Sequence, residues 1–179
     1  MPSLDPTVDL LRRMVRVNSV LPHEEPLARL VAEEIRGLGL EPVWQEVAPE
    51  RPNVYVSAQL GPKPSLVTFT GHLDTVGPAL GWESDPFEPA IRDGKLYGLG
   101  ALDMKAGLAC AFMAFKRVLQ ARELHPELGR IGFAATVDEE GYGTGAVALL
   151  DTELARSDLM PLRTRIYLAS LIIDPCAWW

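Results

Sequence analysis

Thiol chemistry has little to draw on in this chain. Its two cysteines, Cys110 and Cys176, lie far apart and form no C-x-x-C pair, so neither a disulfide framework nor a thiolate metal site is indicated, and a reducing compartment fits. Long hydrophobic runs are missing too. The longest, Ala106 to Phe115, is closed by Lys105 and Lys116 and falls short of the roughly 20 residues that cross a bilayer; it reads as a buried helix of a soluble protein with no membrane partner. The N-terminus places Asp5 and Asp9 where a secretory signal carries a basic head and an apolar middle, so a cytoplasmic location is expected. Clusters of Lys and Arg are also lacking. With 17 basic against 24 acidic residues and a net charge of -7, the surface does not suit nucleic acid, and a small-molecule partner is expected instead. Internal repeats, low-complexity tracts and linkers are absent. The 179 residues at 47% hydrophobic content suffice for a single sizeable core.

What is present alternates helix and strand. Leu4, Val8, Leu11 and Val15 form one stripe over Asp5 to Val17, with Pro6 in the first turn. A second amphipathic helix starts near Glu25 and Pro26, carries Leu27, Leu30, Val31, Ile35 and Leu38, and stops at Gly39. Strands are predicted over Pro42 to Val47, Asn53 to Leu60 and Ser65 to Thr70, separated by the proline-rich breakers Pro49 to Pro52 and Gly61 to Pro64. Asp93-Gly94 between Ile91 and Leu96 signals a hairpin. A long buried helix over Met104 to Gln120, a buried strand over Ile131 to Val137 and a short helix opening near Thr144 follow. Such alternation predicts an α/β layered sheet with its ligands beyond the carboxyl ends of the strands. Past about Asp158 the pattern degrades, and the chain finishes on Trp178-Trp179.

Three constellations fall at such ends. His72 and Asp74, after the strand Ser65 to Thr70, project to the same side of an extended backbone, a spacing that suits a metal-binding imidazole with an orienting carboxylate; a polar strand end is the plain alternative. Asp103, opening the long helix, sits where an N-cap is wanted, and its two oxygens could also bridge two cations. Asp138, Glu139 and Glu140 end an apolar strand. Three adjacent carboxylates repel one another, so without a cation at least one should have a raised pKa; otherwise they form a solvated acidic turn. One of Glu139 and Glu140 can bind metal while the other acts as a base.

Taken in order, His72-Leu73-Asp74-Thr75, Trp82 to Phe87, Asp93 to Gly98, Asp103-Met104-Lys105 and Asp138-Glu139-Glu140-Gly141 resemble the successive signatures of the two-zinc amide hydrolases typified by acetylornithine deacetylase, succinyl-diaminopimelate desuccinylase and carboxypeptidase G. The likeness runs from the N-terminus to about Leu150. It implies a three-layer α/β/α domain with a mixed, mostly parallel sheet, and metal-dependent hydrolysis of an amide in an N-acyl amino acid or small peptide, within amino-acid metabolism. It implies two Zn2+ ions, with Co2+ or Mn2+ as substitutes. On the resemblance, His72 binds one metal, Asp103 bridges both, Glu140 binds the other, Glu139 is the general base and Asp74 steadies His72.

The chain also departs from that family. Leu99 stands where an Arg is usual between the glycines. Asp174-Pro175, after Leu171-Ile172-Ile173, is the candidate for a later acidic ligand. No His follows Glu140, and the lid or dimerisation domain through which members often form homodimers is missing. Residues 1–179 are thus expected to be a partial catalytic domain with a divergent or truncated end at 158–179. A non-catalytic metal-binding fragment is the alternative. A phosphate or nucleotide binder, suggested by Gly141, Gly143 and Gly145, is a remoter one, disfavoured by the acidic residues beside that turn. His23 and His125 read as surface residues, and Cys110 as core packing.

Overall fold

The structure, a computed structural model, describes residues 5–124 and 129–158. Asp5 opens α1 (Pro6–Arg16): its carboxylate accepts from the Thr7 N–H at 2.7 Å, and Arg13 and Arg16 occupy the last turn, where the helix dipole favours cations. The helix buries Leu10, Met14 and Val15, a face turned from the expected stripe. It packs on both the long helix and the turn before it; a Cβ added at Gly98 would lie 2.4 Å from Val15 Cγ1. Helix α2 (Glu25–Arg36) buries Leu27, Ala28, Val31, Ala32 and Ile35. It ends before Gly39, because Gly37, Leu38 and Gly39 close the last turn by donating to the carbonyls of Glu33, Ile35 and Arg36.

Strands β1 (Val43–Ala48), β2 (Arg51–Gln59) and β3 (Leu66–His72) follow, then the hairpin β4 (Ala90–Arg92) and β5 (Lys95–Tyr97). Asp93 and Gly94 turn that hairpin at φ 51° and 74°, as a turn with two left-handed residues requires. Helix α3 (Ala106–Gln120), strand β6 (Arg130–Thr136) and helix α4 (Thr144–Leu149) complete the layers.

The main sheet has the order β1-β2-β6-β3. It is mixed, but among the described residues β1 pairs antiparallel with β2, β2 antiparallel with β6, and only β3 and β6 run parallel. The expectation of a mostly parallel sheet is corrected here. The Pro49-Glu50 reversal, with Glu50 at φ 60°, folds β1 and β2 into a hairpin, and β6 enters between β2 and β3 rather than at an edge.

Strand β6 is covered on both faces. Phe133 meets Phe112 edge-on at 5.3 Å and Phe115 at 6.0 Å, within a core that also takes Leu10, Met14, Val31, Ile35, Val54, Leu108 and Val137. On the other face a smaller core joins Leu66, Ala134, Leu149 and Leu154, with Tyr55 against them. Helices therefore lie on both sides of the sheet, in three layers. No helix of the described residues is long and apolar enough to cross a membrane.

Candidate metal centre

Because β3 and β6 are parallel neighbours, their carboxyl ends open on the same edge of the sheet. His72 is in register with Thr136, and the Leu73 N–H donates to the Thr136 carbonyl at 2.7 Å. One strand thus delivers His72 and Asp74, and the other delivers Asp138, Glu139 and Glu140, to a shared rim. The turn before α3 reaches the same rim, since Gly71 leaves room for Met104: an added Cβ there would lie 2.8 Å from Met104 Cε.

The His72 ring is 4% exposed. Its Nδ1 donates to the Asp74 backbone carbonyl at 3.0 Å, with the Asp74 carboxylate 3.5 Å away. This turns Nε2 toward Asp103 Oδ1 at 3.2 Å and Glu139 Oε2 at 3.7 Å. Burial alone would depress the imidazole pKa, but Asp74, Glu139 and Asp103 outweigh it and raise it to about 8.

Asp74 does more than face the ring. Fully buried, it accepts the Glu139 N–H on Oδ1 at 3.1 Å and the Glu140 N–H on Oδ2 at 2.7 Å. Burial pushes its carboxyl up, yet the His72 ring and these two amides hold it below the usual carboxylate range. Asp74 therefore ties the end of β3 to the end of β6.

Asp103 is not the N-cap of α3, contrary to expectation. Gly100, at φ 69°, turns the chain into a wide π-type turn over Ala101–Lys105, and Asp103 and Met104 depart from helical angles inside it. Asp103 is extended, at φ -119° and ψ 103°, so its half-exposed carboxylate reaches over to His72 instead of capping the helix. Leu99, in place of the usual Arg, is 5% exposed, and its N–H donates to the Pro86 carbonyl at 2.7 Å.

The expected upward pKa shift does not fall on Asp138. At φ 66° this residue turns inward and is 3% exposed. Its Oδ2 accepts from Thr144 Oγ1 at 2.6 Å, Thr144 N at 3.2 Å and Tyr142 N at 3.3 Å, while Arg51 Nη2 donates to Oδ1 at 3.0 Å. Burial works against ionisation, but Thr144, Arg51 and the Tyr142 amide prevail and bring the pKa down to about 2. Arg51 also forks onto the fully buried Glu24, with Nε 3.0 Å from Oε2. Asn53 clamps the same segment, accepting from the Val137 N–H at 3.0 Å and donating to the Gly145 carbonyl at 2.8 Å. Sequence reading passed over Glu24, Arg51 and Asn53. Arg51 sits between Glu50 and Pro52 in a stretch that reads as a chain breaker, and nothing local announces partners 27 and 87 residues away.

His23 is exposed and Cys110 is half-buried. His125, Cys176 and the proposed ligand Asp174 lie outside the described residues.

The residues at the rim fit a divalent cation. Ligand atoms of His72, Asp103 and Glu140 all lie within 4.8 Å of one another. The 3.2 Å between His72 Nε2 and Asp103 Oδ1 is close to the ligand–ligand edge of about 3.3 Å that follows from metal–ligand bonds of roughly 2.0 Å in a tetrahedral site. With Nδ1 spent on a carbonyl, Nε2 aims its lone pair at two carboxylates, an arrangement that calls for a proton or a metal ion between them.

The same segments match known proteins. The profile of Peptidase family M20/M25/M40 matches residues 68–177. The chain is 39% identical over 156 residues to the succinyl-diaminopimelate desuccinylase of Thiobacillus denitrificans, an alignment covering 86% of this chain and 38% of that protein. Among solved structures, aminopeptidase PepT from Bacillus cereus superposes with a TM-score of 0.65 at 30% identity, over 80% of this chain and 39% of its own. A dinuclear metal-binding peptidase of the M20 family from Bacillus subtilis does so with a TM-score of 0.58 at 15% identity, a likeness of fold, over 80% of this chain and 38% of its own. The chain spans less than half the length of these relatives. By the profile match and the desuccinylase likeness together, it belongs to the M20/M25/M40 peptidase family.

Proposed function

We propose that residues 1–179 form part of a catalytic domain that hydrolyses the amide bond of an N-acyl amino acid or small peptide with a pair of divalent cations, zinc foremost, with cobalt or manganese as substitutes. The observation that carries this reading is the His72 ring, anchored through Nδ1 and aimed through Nε2 at Asp103 and Glu139, with Glu140 in the same cluster.

A bound cation supplies two things to such a reaction: it lowers the pKa of water and polarises a carbonyl. The chain's own residues do the rest. His72 and Glu140 are proposed as ligands of different ions, and Asp103, with two carboxylate oxygens on an extended backbone, as the bridge. Asp74 fixes the spacing between them by holding the amides of Glu139 and Glu140. Glu139 takes the proton of the attacking water and returns it to the leaving amine, yielding a carboxylate and a free amino group. The desuccinylase and aminopeptidase relatives support this substrate class.

The chain carries no His after Glu140, so the second cation would have no imidazole from it. That observation favours a second reading of the isolated chain, in which it binds metal but turns over little. A nucleotide site is disfavoured by the glycine turn itself: the N–H groups of Tyr142, Gly143 and Thr144, which a phosphate would need, all donate to Asp138.

Zinc titration by calorimetry, beside hydrolysis assays on N-acetyl and N-succinyl amino acids, tests the proposal. The expected result is zinc binding that weakens in His72→Ala and Asp103→Ala, with slow turnover or none. Failure to bind zinc would sink the site. Robust turnover would mean that another group, such as His23, His125 or a second subunit, completes it.

A further inference from the structure

We propose that Arg51 is a positioning residue for the metal-ligating segment, acting through Asp138; this rests on the reading of the rim as a metal centre. Arg51 begins β2, on the far side of β6 from His72. Its side chain is 18% exposed and lies between two carboxylates that are almost wholly buried, Glu24 and Asp138. Nε and Nη2 fork onto Glu24, and Nη2 also reaches Asp138 Oδ1 at 3.0 Å. One guanidinium thus bridges the start of α2 and the end of β6.

The consequence follows from what Asp138 does. A residue with a side chain is rarely held at positive φ, as Asp138 is at 66°, unless its surroundings over-determine it. Here Oδ2 and the backbone carbonyl of Asp138 gather the amides of Tyr142, Gly143 and Thr144, and Oδ1 is left for Arg51. Gly141 packs directly over that oxygen, since an added Cβ would lie 2.6 Å from it. The turn that Asp138 makes sets where Glu139 and Glu140 begin, and Asp74 takes their amides from the other side. The general base and the proposed ligand are therefore clamped between two buried carboxylates, one of which depends on Arg51 for its countercharge.

A lysine cannot take this place. Its ammonium is one nitrogen on a flexible stem, whereas the planar guanidinium holds Nε on Glu24 and Nη2 between Glu24 and Asp138 in one fixed geometry. Arg51→Lys keeps the charge and loses the bridge.

The test has two arms, both on the 179-residue chain. In the metal-free protein, amide hydrogen exchange is followed by NMR at Glu139, Glu140, Tyr142, Gly143 and Thr144, as a ratio to Phe133 within β6. Arg51→Lys and Asp138→Asn are expected to raise that ratio by about tenfold or more, while Ile131→Val, which loosens the core without touching the network, leaves it unchanged. An unchanged ratio in Arg51→Lys, or an equal rise in Ile131→Val, would overturn the proposal. In the second arm cobalt(II) is titrated and its visible absorption recorded. Arg51→Lys is expected to weaken binding by about tenfold, as loss of outer partners of a metal site does, and to alter the spectrum, with Ile131→Val matching the wild type. Wild-type affinity and spectrum in Arg51→Lys would refute the link to the site. If the wild type bound no cobalt or zinc, the metal reading would fall, and the exchange ratio would still decide whether Arg51 positions the segment.

Discussion

Replacing Asp74 by Asn tests the joint between the two strand ends. Both Asp74 oxygens are committed, Oδ1 to the Glu139 amide at 3.1 Å and Oδ2 to the Glu140 amide at 2.7 Å, in a side chain with no exposure. Asn is isosteric but offers one acceptor; its NH2 group would point at whichever backbone N–H is left over. A buried donor left without an acceptor costs about 1–3 kcal/mol, so Asp74→Asn should lose stability in that range at pH 7. The substitution also removes the negative charge 3.5 Å from His72 Nδ1 and frees the Glu139-Glu140 segment. Zinc affinity should fall by about 10- to 100-fold, as when the carboxylate behind a ligating His is lost. The pH dependence has a definite sign. The Asp74 pKa is lowered in the folded chain, so its contribution is present above the unfolded value near ~3.9 and is lost as the pH falls through the lowered folded value. The gap between wild type and variant should therefore be full at pH 7 and close only in acid below about pH 4. Urea melts across pH and zinc calorimetry measure both effects. A variant within about 0.5 kcal/mol of wild type, with unchanged zinc affinity, would refute the argument.

Three further outcomes are expected. Lys105 is fully buried and donates to the Val17 carbonyl at 2.9 Å, and burial lowers its pKa from 10.5 to about 8; the unfolded chain then holds more protons between these values, so wild-type stability should rise from pH 8 to 10.5, by roughly 3 kcal/mol at most. Lys105→Met should remove that rise and be more stable at pH 7 by about 1–2 kcal/mol after the lost hydrogen bond is counted, as read by urea melts at the two pH values. Gly145→Ala should destabilise by about 1–3 kcal/mol, because its Cβ would lie 2.3 Å from the Val137 carbonyl and 2.7 Å from Asn53 Oδ1, and loss of protection at the Val137 amide reports it. Glu139→Gln should keep zinc affinity within about threefold while removing any amide hydrolysis the chain shows, because the carboxylate is assigned to proton transfer; a large loss of affinity would recast Glu139 as a ligand.

Much of this was legible where a local rule has a single solution. Asp93-Gly94 announces a turn that needs two left-handed residues, and the hairpin stands there. The apolar run Ile131 to Val137 reads as a buried strand and is covered on both faces. The segments carrying His72 and Glu139-Glu140 were expected at strand ends, and the parallel register of β3 with β6 brings them to one rim. Sheet order was not legible, because nothing in β6 itself says that it enters between β2 and β3 and pairs antiparallel with β2. Local reasoning also failed at Asp103, where the left-handed Gly100 and a wide turn displace the start of α3 to Ala106. It failed again at Asp138, whose countercharge comes from Arg51 across the sheet. Pairings of long sequence separation are set by the assembled sheet and leave no periodic trace in the chain.

The most direct test of the metal centre is a zinc-loaded crystal of this chain with anomalous scattering recorded at the zinc edge. A peak is expected within about 2.3 Å of His72 Nε2 and of a carboxylate oxygen of Asp103, with a Glu140 oxygen at the same peak or at a second one sharing Asp103. A peak that avoids these side chains, or His72 Nε2 still facing Asp103 and Glu139 with no metal between them at saturating zinc, would contradict that expectation.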